Sequence, residues 1–108
     1  MKELETAILN ALTEKDKEIL KNVFKKEELR ISVKLDFRFK MAQSWTKKLK
    51  RERENTGHFG NIDLDNLIKN VLDRSNGILF PDDRYVYKIE ATKHWDIENK
   101  ILISIKYD

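Results

Sequence analysis

The clearest pattern in the chain lies at residues 29–39. Leu29, Ile31, Val33, Leu35, Phe37 and Phe39 alternate with Arg30, Ser32, Lys34, Asp36 and Arg38. A period of two held this long predicts a strand with one face buried and the other polar. Residues 2–26 follow another period. Leu4, Ala7, Ile8, Ala11, Leu12, Ile19, Leu20, Val23 and Phe24 fall mostly three or four apart, which predicts helix. Thr13-Glu14-Lys15-Asp16 has the form of a helix start, so a break is placed near Thr13. Residues 44–54 predict a short basic helix capped by Ser44, with Trp45 and Leu49 on one face. Residues 55–61, rich in Gly and Asn, predict a loop and by composition the most flexible segment. Residues 65–76 predict a helix whose stripe is Leu64, Leu67, Ile68, Val71 and Leu72, ended by Asn76-Gly77. Pro81-Asp82-Asp83 interrupts the chain. Tyr85–Lys93 predicts a strand, Asp96–Asn99 a turn and Ile101–Tyr107 a last strand, the two strands being expected to pair as a hairpin. The whole reads as one α+β domain over residues 1–108, a small mixed sheet with packed helices.

Composition narrows the chemistry. The 108 residues are 40% hydrophobic and 38% charged, enough for one core that buries roughly 65% of the unfolded surface. Cysteine is absent, which excludes disulfides, thiolate metal sites and cysteine nucleophiles. No apolar run approaches the roughly 20 residues that span a bilayer. Met1-Lys2-Glu3-Leu4 lacks the apolar core of a signal peptide, and a cytoplasmic setting is expected from the absence of cysteine. The formal net charge is +3, and its distribution matters more than its size. Residues 1–28 carry six Lys against seven Asp and Glu, whereas residues 38–53 carry Arg38, Lys40, Lys47, Lys48, Lys50, Arg51 and Arg53 against Glu52 alone. A local cationic stretch of this kind suits a polyanion such as nucleic acid, and the plainer reading is a solvated helix face.

The candidate chemistry sits in Asp63-Leu64-Asp65-Asn66-Leu67-Ile68-Lys69. Asp65 is placed to cap the helix that follows, which accounts for neither Asp63 nor Lys69. Asp65 and Lys69 fall about 40° apart around that helix, on an edge beside the apolar stripe. Asp82-Asp83 is a second acidic pair, which turn chemistry after Pro81 also explains. With no Cys, and His only at 58 and 94, the carboxylates suggest a hard oxygen-ligand site suited to Mg²⁺ or Mn²⁺ and not zinc. Carboxylates beside a lysine and a basic patch are the equipment of a metal-dependent phosphodiesterase. Trp45 suits stacking on a base or packing against Leu49, and His58 suits a phosphate contact or a structural role.

Taken together, Asp63-Leu64-Asp65-Asn66-Leu67-Ile68-Lys69, Val71-Leu72-Asp73, Asn76-Gly77-Ile78 and Asp82-Asp83 resemble the signature of RusA-type Holliday junction resolvases. Upstream, Gln43-Ser44-Trp45-Thr46-Lys47-Lys48 is similar to phage-type members. The resemblance covers about residues 29–93. It implies a small homodimeric, Mg²⁺-dependent endodeoxyribonuclease that cuts branched DNA, the four-way junctions of recombination and repair. Carried over by position, Asp63, Asp65, Lys69 and Asp83 are catalytic, and Asp63, Asp65 and Asp83 hold the metal. Asp82 is a neighbour, and Asp73 matches a recurrent position. The chain departs from the family pattern in having Gly60, Asn61 and Ile62 where Lys or Arg and then Pro often precede the first Asp, and in opening on a helix where the family has a strand. The alternative is a catalytically inactive DNA-binding or regulatory protein on the same fold.

Overall fold

The computed structural model describes residues 2–108. Helices α1 (Lys2–Ala11) and α2 (Glu14–Val23) lead into strand β1 (Ile31–Lys40). Helices α3 (Lys47–Arg53) and α4 (Leu64–Ser75) follow, then a 3₁₀ turn (Asp83–Tyr85) and strands β2 (Val86–Asp96) and β3 (Lys100–Tyr107). The break near Thr13 is present and has a local cause. Thr13 accepts a hydrogen bond from Asp16 N, and the Asp16 side chain accepts one from Thr13 N. This reciprocal pair satisfies two amide donors that would otherwise be orphaned at a helix start.

The alternating segment is the centre of the molecule. β1 lies between the other two strands, parallel to β2 and antiparallel to β3. Ile31, Val33, Leu35 and Phe37 are buried almost completely, and each contributes about 1.5–3 kcal/mol relative to exposure. Ile8, Val23, Val71, Leu79 and Phe80 close over this row from the helices and the α4–β2 connection. A parallel β1–β2 pair needs a long crossover, supplied here by α3 and α4. α4 carries the chain back along the sheet and packs against β2 and the 3₁₀ turn. It is stopped by Asn76 and by Gly77, whose φ of 80° a side chain would strain.

The expected β2–β3 hairpin does not form. Ile97, Glu98 and Asn99 instead arch over the end of β1, so that β1 occupies the place between the two strands. Two bonds hold the arch: Lys40 N donates to Asn99 Oδ1 at 2.8 Å and Met41 N to Asp96 O at 3.0 Å. The short polar link reads as a hairpin turn in sequence because nothing local reveals a third strand inserted between its arms. The helix caps also move. Thr46, and not Ser44, caps α3, accepting from Leu49 N at 3.1 Å. Among the described residues no helix is long and apolar enough to cross a membrane.

Candidate active site

The acidic segment is built by the start of α4. Asp63 is its N-cap, and Asp63 Oδ1 accepts from Asp65 N at 3.1 Å. The sequence places this role on Asp65, which instead sits inside the first turn. Capping uses one oxygen of Asp63, and Asp65 adds a second negative charge where the helix dipole favours it. Both residues are exposed. Lys69 lies one turn further along the exposed edge, and no ion pair among the described residues includes it. Asp73 is exposed on the same helix, while its neighbour Arg74 pairs with Glu5 of α1 at 3.5 Å.

The approach to α4 is fixed from behind. Asn55 N donates to Trp95 O, Trp95 N to Thr56 O and His58 N to Lys93 O, each at 2.9 Å. Lys93 Nζ then donates to Gly60 O at 3.2 Å and to Ile62 O at 2.7 Å. The segment expected to be most flexible is thus laid against the end of β2 and fastened there. Composition predicts flexibility because Gly and Asn weaken local preference, but the bonds that fix this loop come from a strand some 35 residues away in sequence. His58 is buried in it. Burial, then the charge of Lys93, pushes its pKa below the usual histidine value. Its Nδ1 accepts from Gly60 N at 3.0 Å, which a neutral ring can do and a protonated one cannot.

The second acidic pair stands elsewhere. Asp82 caps the 3₁₀ turn, accepting from Arg84 N at 2.9 Å. That bond holds its carboxyl below the usual carboxylate range, opposed by slight desolvation and aided by Asp83 and the Arg84 charge. Asp83 opens the turn and is half-buried. The turn precedes β2, whereas the loop leading to Asp63 is tied to Lys93 near the other end of that strand. Seven residue steps from Val86 to Lys93 span about 23 Å. The strand therefore sets the two acidic pairs at opposite ends of the sheet. In keeping with this, no group of three or more His, Asp or Glu among the described residues is gathered to hold a metal ion. Asp63 and Asp65 are hard oxygen donors of the kind Mg²⁺ takes, and one chain brings this pair together without a third ligand.

The basic residues divide into two sets. Lys47, Lys48 and Arg51 are exposed on α3 and Lys40 at the end of β1, and Lys50 is half-buried. None of them enters an ion pair among the described residues. Arg38 is different. Its Nε donates to Asp36 Oδ2 at 2.9 Å, its Nη1 lies 3.5 Å from Asp96 Oδ2, and it also donates to Asn55. Asp36 further accepts from Thr92 Oγ1 at 3.1 Å and lies 2.6 Å from His94 Nδ1. Desolvation raises the Asp36 pKa, but the bonds to His94, Arg38 and Thr92 outweigh it and hold the carboxyl low. Arg38 is thus committed to a network on the polar face of the sheet. Arg53 lies over Phe59 and Trp45, 5.0 and 5.8 Å from their ring centroids. The sequence pattern gives no sign of the aromatic cluster of Phe39, Trp45, His58, Phe59 and Trp95. Its members come from four separate segments, and only the β1–β2 register, which pairs Phe39 with Trp95, reveals it.

Among protein families, the model of the RusA endodeoxyribonucleases matches residues 5–106, nearly the whole chain. No curated protein and no solved structure matches it.

Proposed function

The chain belongs to the RusA endodeoxyribonuclease family, and from that premise we propose that it is a structure-selective DNA endonuclease that resolves four-way junctions. The observation that carries this reading is the acidic entrance of α4, fastened through a pinned loop to a helix whose cations enter no ion pair among the described residues. α3 and Lys40 hold the phosphate backbone. The fixed start of α4 presents Asp63 and Asp65 to the scissile strand without further ordering. Lys69, free of any ion pair among the described residues, stabilises the charge that develops on the phosphate. Asp63, Asp65 and Asp83 are the residues that would hold Mg²⁺, with Mn²⁺ the substitute. Bound there, the metal would supply a nucleophilic water and a counter-charge for the leaving oxygen.

The two acidic pairs lie at opposite ends of β2, which supports a homodimer as the working unit. In a two-fold pair running in opposite directions, the Asp82–Asp83 end of one copy meets the Asp63–Asp65 end of the other. A two-fold dimer also presents one site to each of two strands of a junction that itself has two-fold symmetry. The absence of a gathered carboxylate trio among the described residues of one chain favours a second reading as well, that of a DNA-binding protein that has kept the fold and does not cut. The two separate in one assay. The protein is incubated with an end-labelled four-way junction and with a linear duplex of the same sequence, with and without Mg²⁺. Paired nicks in the junction alone, dependent on the metal, support the endonuclease. Salt-dependent binding without any nick supports the second reading.

A further inference from the structure

The loop before α4 ends on an exposed aromatic ring that the phosphodiester chemistry does not use. Phe59 is 64% exposed, among the highest values of the large apolar side chains. A single exposed ring needs no explanation, but this one is the outer end of a stack. Its ring lies nearly parallel to Trp45, at 13° with centroids 6.4 Å apart, and Trp95 meets it edge-on at 5.4 Å. Trp95 in turn packs against His58 at 4.1 Å, and His58 against Phe39 at 4.7 Å. The stack therefore runs from the half-buried end of β1 to the surface.

The backbone that carries Phe59 is held on both sides. His58 N donates to Lys93 O, and Lys93 Nζ donates to Gly60 O and Ile62 O. Gly60 approaches the His58 ring so closely that a Cβ there would lie 2.3 Å from His58 Cε1. The ring is thus presented by a fixed turn. Its surroundings are cationic, with the Arg53 guanidinium 5.0 Å from its centroid and, in the same stretch of chain, the lysines of α3, which enter no ion pair among the described residues. Four residue steps lead from it to Asp63, a reach of at most about 14 Å.

We propose that Phe59, lying nearly parallel to Trp45 and with the Arg53 guanidinium over its ring, is a stacking platform for an unpaired nucleobase of branched DNA. The inference rests on the endonuclease reading and adds how a branch is told from a duplex. Every base offers a π-face, and an aromatic ring beside a guanidinium binds it without regard to sequence. Within a duplex each base is stacked on both sides and closed to the ring. At a branch point a pair has lost one stacking neighbour, so opening it costs less. A base held on Phe59 brings the phosphodiester of its own strand toward Asp63 and Asp65, while α3 holds the neighbouring phosphates.

The test uses the full chain and measures dissociation constants at one salt concentration for a four-way junction, an oligothymidylate and a linear duplex. For Phe59→Ala the affinity for the junction and the single strand falls about tenfold or more, while that for duplex stays within about twofold. Phe59→Trp keeps the parent pattern and Phe59→Leu does not, because the platform needs a π-face and not merely an apolar surface. Equal losses on all three DNAs, no loss on any, parent-like binding by Phe59→Leu, or a change of oligomeric state in Phe59→Ala would each overturn the proposal. If the parent cleaves junctions and Phe59→Ala binds and cleaves them equally well, the platform alone fails. If the parent binds no DNA, the endonuclease reading fails with it.

Discussion

Lys69 is the residue at which the catalytic account is most exposed. A lysine four residues after an aspartate on a helix ordinarily pairs with it, for about 0.2–0.5 kcal/mol. Here no such pair forms among the described residues, so removing the ammonium breaks no ion pair within them. Lys69→Ala should therefore leave the melting temperature and junction affinity near parent values and lower single-turnover cleavage by about 10²-fold or more. Lys69→Arg should rescue poorly, since a planar fork does not replace a compact charge. Near-parent cleavage by the Ala variant would remove Lys69 from the mechanism. His58 makes a separate prediction about the loop. Its folded pKa lies below 6.5 because burial and Lys93 disfavour the charged ring. The unfolded chain then takes up the proton first, so stability is complete above about pH 6.5 and is lost as the pH falls toward the folded pKa. The carboxylate Asp36 titrates below its ordinary 3.8 and stays out of that window. Between about pH 7.5 and pH 5 the parent should lose more melting temperature than His58→Gln, which keeps an acceptor for Gly60 N–H. Equal slopes for the two proteins would contradict a buried neutral His58. The sequence showed which residue types stood in this region and could not show these roles. A lysine outside every ion pair among the described residues and a neutral histidine are defined by what does or does not come near them.

At the scale of elements, the periodic segments were legible and the caps and pairings were not. The alternation of residues 29–39 marked the central strand because its side chains face a core on one side only. The stripe of α4 was equally plain, since five apolar residues follow a helical period. Misplaced caps have a simple cause. Ser44 and Thr46, or Asp63 and Asp65, are equally good acceptors, and the choice depends on where the preceding chain turns. The β2–β3 pairing was misread because a three-residue link looks the same whether its strands are neighbours or straddle a third. α3 shows how element and charge combine. Its seven residues include five Lys and Arg, too many for helix stability to be the reason, since like charges one turn apart repel. Replacing Lys47, Lys48, Lys50 and Arg51 with Ala should weaken junction binding. It should also flatten the dependence of log affinity on log salt, by about 0.9 for each phosphate that is no longer neutralised. An unchanged slope would make α3 a solvated face. Arg38 sits outside this set. Its bonds to Asp36, Asp96 and Asn55 imply that Arg38→Ala would act on stability more than on the salt slope.

At the scale of the molecule, the chain has an extended shape, 52 Å by 26 Å by 22 Å, with its acidic pairs at opposite ends of one strand. The family signature was readable in sequence as a linear string of residues. Their spatial relation was not, because the string runs through α4 and back to the start of β2, and the crossover separates what stands close together along the chain. The proposed homodimer would reconcile the two, by setting the pair that α4 presents on one copy against the pair that precedes β2 on the other. The most direct measurement is cleavage of a labelled four-way junction, in Mg²⁺, by Asp63→Asn, by Asp83→Asn, and by the two variants unfolded together and refolded as a mixture. Each variant alone should be inactive, because every site in its dimers lacks one carboxylate. In an equal mixture half the dimers are mixed and each of those keeps one complete site, so about a quarter of the parent site number should return. A mixture as inactive as its components, or cleavage at the parent rate by either variant alone, would contradict a junction-cutting site assembled from Asp63, Asp65 and Asp83 across two chains.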